Sequence, residues 1–65
     1  MMICKKKIEL IMAERGLTAT EVSKRAEMSL QNFSTIKLRG TCTPTTAGKL
    51  AQGLGVNVSE IIEEE

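Results

Sequence analysis

Residues 14–29, ERGLTATEVSKRAEMS, hold one helix stop and two helix starts in close succession. Gly16, directly after Arg15, ends the helix before it, because glycine takes the left-handed backbone that closes many helices at little cost. Thr18 followed three residues later by Glu21 has the spacing of a capping box, in which the hydroxyl accepts a first-turn N–H and the carboxylate reaches back to the cap. From there Ala19, Val22 and Ala26 make a narrow stripe of small apolar residues about two turns long. Ser29 is a second N-cap candidate. Only Glu27, Met28 and that cap separate the two helices, too few residues for an antiparallel return, so the pair must cross steeply as a helix-turn-helix.

The rest of the chain reads outward from this unit. Upstream, Cys4, Ile8, Ile11 and Met12 share a face, which predicts a first helix over about 2–15 and leaves the second over 18–26. Downstream, Phe33 and Ile36 lie on one side of a third helix over 29–38, with Leu30 at the edge. Gly40, the segment TCTPT and its Pro44 end that helix, and Thr45 is the expected cap of a fourth over 45–54, where Ala47, Leu50, Ala51 and Leu54 repeat the i, i+3, i+4, i+7 pattern. Asn57 with Glu60 suggests another capping box, and Val58, Ile61 and Ile62 supply the apolar face of a fifth helix over 58–63, running into a frayed acidic tail at 63–65. No segment alternates with period two for long enough to form a strand. The expectation is an all-α, compact five-helix bundle, one domain spanning 1–65.

At 65 residues a single domain buries only about 60% of its unfolded surface, which leaves little stability for elaborate sites. Nine basic and eight acidic side chains give a net charge of +1. The charge is unevenly spread: residues 1–39 carry eight Lys or Arg against four Glu, and residues 40–65 carry Lys49 against Glu60, Glu63, Glu64 and Glu65. Lys5, Lys6 and Lys7 read as a solvated run at a helix start. Cys4 and Cys42, with no histidine in the chain, support neither a disulfide framework nor a zinc site, and are expected as reduced thiols, Cys4 in the core and Cys42 in a loop. No apolar run approaches the ~20 residues of a membrane span, so a cytoplasmic protein is expected, with no membrane, cofactor, metal or small-molecule ligand. Catalysis is disfavoured: His, Tyr and Trp are absent, and the carboxylates lie at helix starts or in the tail instead of converging.

From Ile8 to Ile62, about 55 of the 65 residues, the chain resembles a Cro/C1-type, Xre-like helix-turn-helix domain of the lambda-repressor fold. The stretches that carry the resemblance are ERGLTATEVSKRAEMS, then FSTI and RG in the third helix, the Pro44 loop, and KLAQGLGVNVSEII. The resemblance implies sequence-specific binding of double-stranded DNA, as a homodimer, with the third helix in the major groove. With Phe33 and Ile36 turned inward, the base-reading candidates are Leu30, Gln31, Asn32, Ser34 and Thr35: amides both give and accept hydrogen bonds, and Leu can meet a thymine methyl. Lys37, Arg39, Thr41 and Thr43 are candidates for phosphates at the far end, and Thr18, Thr20 and Ser29 at helix starts.

Against the family pattern, Ala19 stands where a phosphate-binding Gln is frequent and Glu27 where a Gly is usual. Met12 and Lys37 replace an Arg–Glu pair, and one extra residue lies between Ile36 and Gly40. Val56, Val58, Ile61 and Ile62 are candidates for a two-fold interface, or else they close the monomer core; Ile3 and Leu10 form a second candidate patch. The competing reading of the whole chain is a protein-interaction module, such as the antitoxin of a toxin–antitoxin pair.

Overall fold

The computed structural model describes residues 1–63; Glu64 and Glu65, most of the acidic tail anticipated from the sequence, lie outside them. Four α-helices follow in order: α1 Lys5–Arg15, α2 Ala19–Arg25, α3 Leu30–Arg39 and α4 Pro44–Leu54, then a single 3-10 turn, Val58–Glu60. The all-α reading and the helix-turn-helix hold, but the count of five helices does not. Asn57 does present its N–H to the Glu60 carboxylate at 2.9 Å, as the spacing anticipated. Ile61 then bonds back to Val58, and beyond it the backbone leaves helical geometry to pair with the chain's beginning.

That pairing is the second departure from the sequence reading. Residues 2–4 are not the start of α1. They form an extended strap whose Ile3 N–H donates to the Gly40 carbonyl (2.9 Å) and whose Cys4 N–H donates to the Ile61 carbonyl (2.7 Å). Cys42 and Glu63 answer with N–H groups to the carbonyls of Met1 and Met2, both 3.0 Å. The strap thus ties the loop after α3 to the C-terminal segment through two isolated antiparallel bridges, Met2 with Thr41 and Ile3 with Ile62. Ile3 sits 2% exposed in the core, so it does not belong to a surface patch with Leu10. Lys7 joins in, its Nζ donating to the Ile62 carbonyl at 3.1 Å, and so departs from a purely solvated run.

Elsewhere the local rules operate with one shift. Thr18 and Ser29 cap α2 and α3 as anticipated. The cap of α4 is Thr43, not Thr45: its hydroxyl accepts from the Thr46 N–H, and Pro44 takes the first helical position, where a missing N–H costs nothing.

Ile8, Val22, Phe33, Ile36, Leu50, Ala51, Leu54 and Ile61 join Ile3 in one core, edged by Ile11, Met12, Leu17, Met28, Val56 and Val58. Ile61 is 0% exposed. It closes the monomer and presents nothing to a partner, because the turn at 58–60 aims it inward; of the four interface candidates, Val56, Val58 and Ile62 keep partial exposure.

The tightest contact is between α2 and α4. A β-carbon placed on Gly53 would lie 2.9 Å from the Val22 carbonyl oxygen and 3.0 Å from the nitrogen and β-carbon of Ala26. At Gly48, one and a half turns earlier in the same helix, a β-carbon would meet nothing within 4 Å. The two glycines therefore respond oppositely to alanine. Gly48→Ala should stabilise by about 1 kcal/mol through helix propensity. Gly53→Ala gains the same propensity but overpacks a backbone that cannot yield, for a net loss of roughly 1–2 kcal/mol. Thermal unfolding of both variants checks the opposite signs.

Candidate nucleic-acid interface

The angle at which α3 leaves α2 is set by residues 26–29 between them. Ala26 ends α2, Glu27 adopts φ +57°, and the Glu27 and Met28 N–H groups turn back to the carbonyls of Lys24 (3.1 Å) and Ser23 (2.9 Å). This is the Schellman closure, which satisfies carbonyls that a helix end would otherwise leave open. The same pair of bonds closes α1 at Gly16 and α4 at Gly55. Glu27 is the sole non-glycine residue among the described ones with positive φ, as its place in the turn had suggested.

The buried Ser23 sends its hydroxyl to the Thr20 carbonyl at 2.9 Å, so the inner side of α2 reaches α4 with no polar atom left over. At the helix start, Glu21 bonds both the Thr18 N–H (3.2 Å) and the Thr18 hydroxyl (3.1 Å), while the Glu21 N–H donates to that hydroxyl. A carboxylate already occupies the positive end of α2. Thr18 is thereby committed within the chain, and Thr20 remains exposed beside it.

On α3, Phe33 and Ile36 are buried, and the Ser29 hydroxyl accepts from the Asn32 N–H at 3.0 Å. Gln31, Asn32 and Ser34 are exposed, and Leu30 is 46% exposed. Thr35 is half-buried and gives its hydroxyl hydrogen to the Gln31 carbonyl at 2.9 Å. That donor is therefore spent inside the helix, which spacing alone could not reveal. Gln31, Ser34, Thr35 and Leu38 follow i, i+3, i+4, i+7, the outward stripe opposite the core side. Leu38, not among the base-reading candidates, is a full member of it. Lys37 lies on the flank, with Nζ 4.9 Å from the centre of the Phe33 ring. This is a cation–π contact, and Met12 lies half-buried against the core.

Arg39 is exposed at the end of α3, followed by exposed Thr41 and Thr43. Thr41 is held by its bridge to Met2, and the Thr43 hydroxyl lies 2.9 Å from that of Thr46. Between them, burial pushes the Cys42 thiol above its ordinary value, with the N-terminal ammonium pulling the other way. That ammonium donates to the Cys42 carbonyl at 3.1 Å. Cys42 packs as a small protonated side chain.

Two helices crossing over a closed turn, with an outward stripe on the second, match a known pattern: the Cro/C1-type helix-turn-helix DNA-binding domain matches residues 7–65. The chain belongs to that family. This Cro/C1-type domain is therefore a DNA-binding helix-turn-helix, with α2 and α3 as its two helices. Among the curated proteins and the solved structures compared, nothing matches the chain. No helix among the described residues is long and apolar enough to cross a membrane.

Strain at Glu27 is separable from this surface. A left-handed non-glycine residue costs roughly 1–2 kcal/mol, partly offset because glycine loses more entropy on folding. Glu27→Gly should therefore raise stability by about 1 kcal/mol and Tm by roughly 4–8 °C; calorimetry of the variant beside the parent checks it.

Proposed function

We propose that this domain acts as a small transcriptional regulator, a repressor, which binds a palindromic operator as a homodimer and reads it with α3 in the major groove. The observation that carries the reading is the face of α3 turned away from the core. A solvated helix ordinarily fills that side with Glu and Lys, whereas here it holds an amide, two hydroxyls and a leucine, on a helix that leaves a closed turn.

Gln31 and Asn32 suit adenine edges, Ser34 suits either partner of a pair, and Leu30 stands at the N-terminal edge, where recognition helices meet bases. Arg39 with the hydroxyls of Thr41 and Thr43 supplies phosphate contacts that fix register, and Ser29 and Thr20 are placed for the backbone on the other side. Thr18 and Lys37 contribute less directly, since one is bound to Glu21 and the other lies over Phe33.

A net charge of +1 leaves a monomer few phosphates to neutralise, so affinity must come from two copies on half-sites about one turn, ~34 Å, apart. Val56, Val58 and Ile62, half-buried around the 3-10 turn, are the surface offered for that two-fold contact, with exposed Leu10 as the second choice.

Selection of bound duplexes from a random library by the purified protein should return an inverted repeat with that spacing. Gln31→Ala should then relax preference at one or two base pairs at a cost of about 1–3 kcal/mol, while Arg39→Ala weakens all sequences alike and lowers the salt slope by about 1. If the folded protein enriched no sequence, the regulator reading would fail in favour of a module that works through a protein partner.

A further inference from the structure

The outward stripe of α3 ends on Leu38, at 83% the most exposed large apolar side chain among the described residues. A single exposed leucine is ordinary on a protein surface; the register of this one sets it apart. It stands seven residues after Gln31 on the same face, about 10 Å further along the helix axis at 1.5 Å per residue. Nothing charged competes for the position: Lys37 is folded over Phe33, and Arg39 lies on the next face.

Thr35, between the two ends, has its hydroxyl hydrogen bound to the Gln31 carbonyl, which leaves a methyl and acceptor lone pairs as its remaining chemistry. The stripe is thus polar at Gln31 and Ser34 and turns apolar at Thr35 and Leu38. In the major groove the apolar group on a base edge is the 5-methyl of thymine. We propose that Leu38 is a specificity-determining residue that reads a thymine through this methyl. At ~3.4 Å per base step the thymine lies at most about three base pairs from the pair met by Gln31. The proposal rests on the reading of α3 as the major-groove helix and adds to it a hydrophobic contact at the C-terminal end.

The test uses the duplex recovered by selection, with each thymine replaced in turn by deoxyuridine, which removes the 5-methyl and keeps the hydrogen-bonding edge. For the parent protein, one such replacement per half-site should weaken binding by about fourfold, the value of one buried methyl. Leu38→Ala should erase that sensitivity at the same thymine and nowhere else, whereas Leu38→Met, apolar and similar in volume, should keep it. Gln31→Ala should also keep it while losing preference at most about three pairs away. Circular dichroism confirms that each variant is folded, as expected for a side chain outside the core. A deoxyuridine profile unchanged by Leu38→Ala, a uniform loss on every duplex, or a selected half-site without a thymine there would overturn the proposal. In those cases Gln31-dependent selectivity would leave the regulator reading standing. A parent protein that prefers no duplex would remove both.

Discussion

Whatever α3 presents depends on α2 being held against α4 at Gly53, where a β-carbon on α4 would run into the Val22 carbonyl and Ala26. Val22 and Ala26 press their backbone onto Gly53, and Ser23, buried beside them, hides its hydroxyl on the Thr20 carbonyl. With α2 fixed, the Schellman closure through Glu27 fixes the exit of α3, and burial of Phe33 and Ile36 fixes its rotation. Each step leaves the next with little freedom. The outward stripe is therefore a consequence of interior contacts, and none of its own residues is needed to hold it in place.

Features set within a few residues were legible from the sequence. Gly16, the Thr18–Glu21 box, the Ser29 cap and the short Glu27–Met28 connection act over three or four positions, and each stands where spacing put it. The cap of α4 was misplaced by two residues because Thr43 and Thr45 flank Pro44 symmetrically. Proline's preference for the first helical position favours Thr43. The strap was not legible at all. Its partners lie some forty and sixty residues away, and three residues without a period carry no signal of pairing; Cys4, expected on the helical stripe of α1, stands at its N-cap instead. The same long-range pairing ended the expected fifth helix, although its first three residues begin as Asn57 and Glu60 foretold.

At the surface the division is similar. Burial of Phe33 and Ile36 was readable, and with it the exposure of Gln31, Asn32 and Ser34. The internal bond of Thr35, the commitment of Thr18 to Glu21 and the fold of Lys37 over Phe33 depend on rotamers, which spacing does not encode. All three tie a polar or charged group to a partner within the chain. The surface left is more neutral and more apolar than the residue types alone suggest, and so relies more on shape and less on charge.

The strap also bears on how the domain comes together in time. Closing a turn such as 26–28 ties up a few residues, whereas joining residues 2–4 to 61–63 closes a loop of nearly the whole chain, and the entropy of that closure is recovered only once most of the core exists. The bonds that close the helix turns are local, and those of the strap are the most distant in sequence. Because its other edge holds Gly40 and Cys42, the order of the loop that follows α3 depends on the same long-range closure.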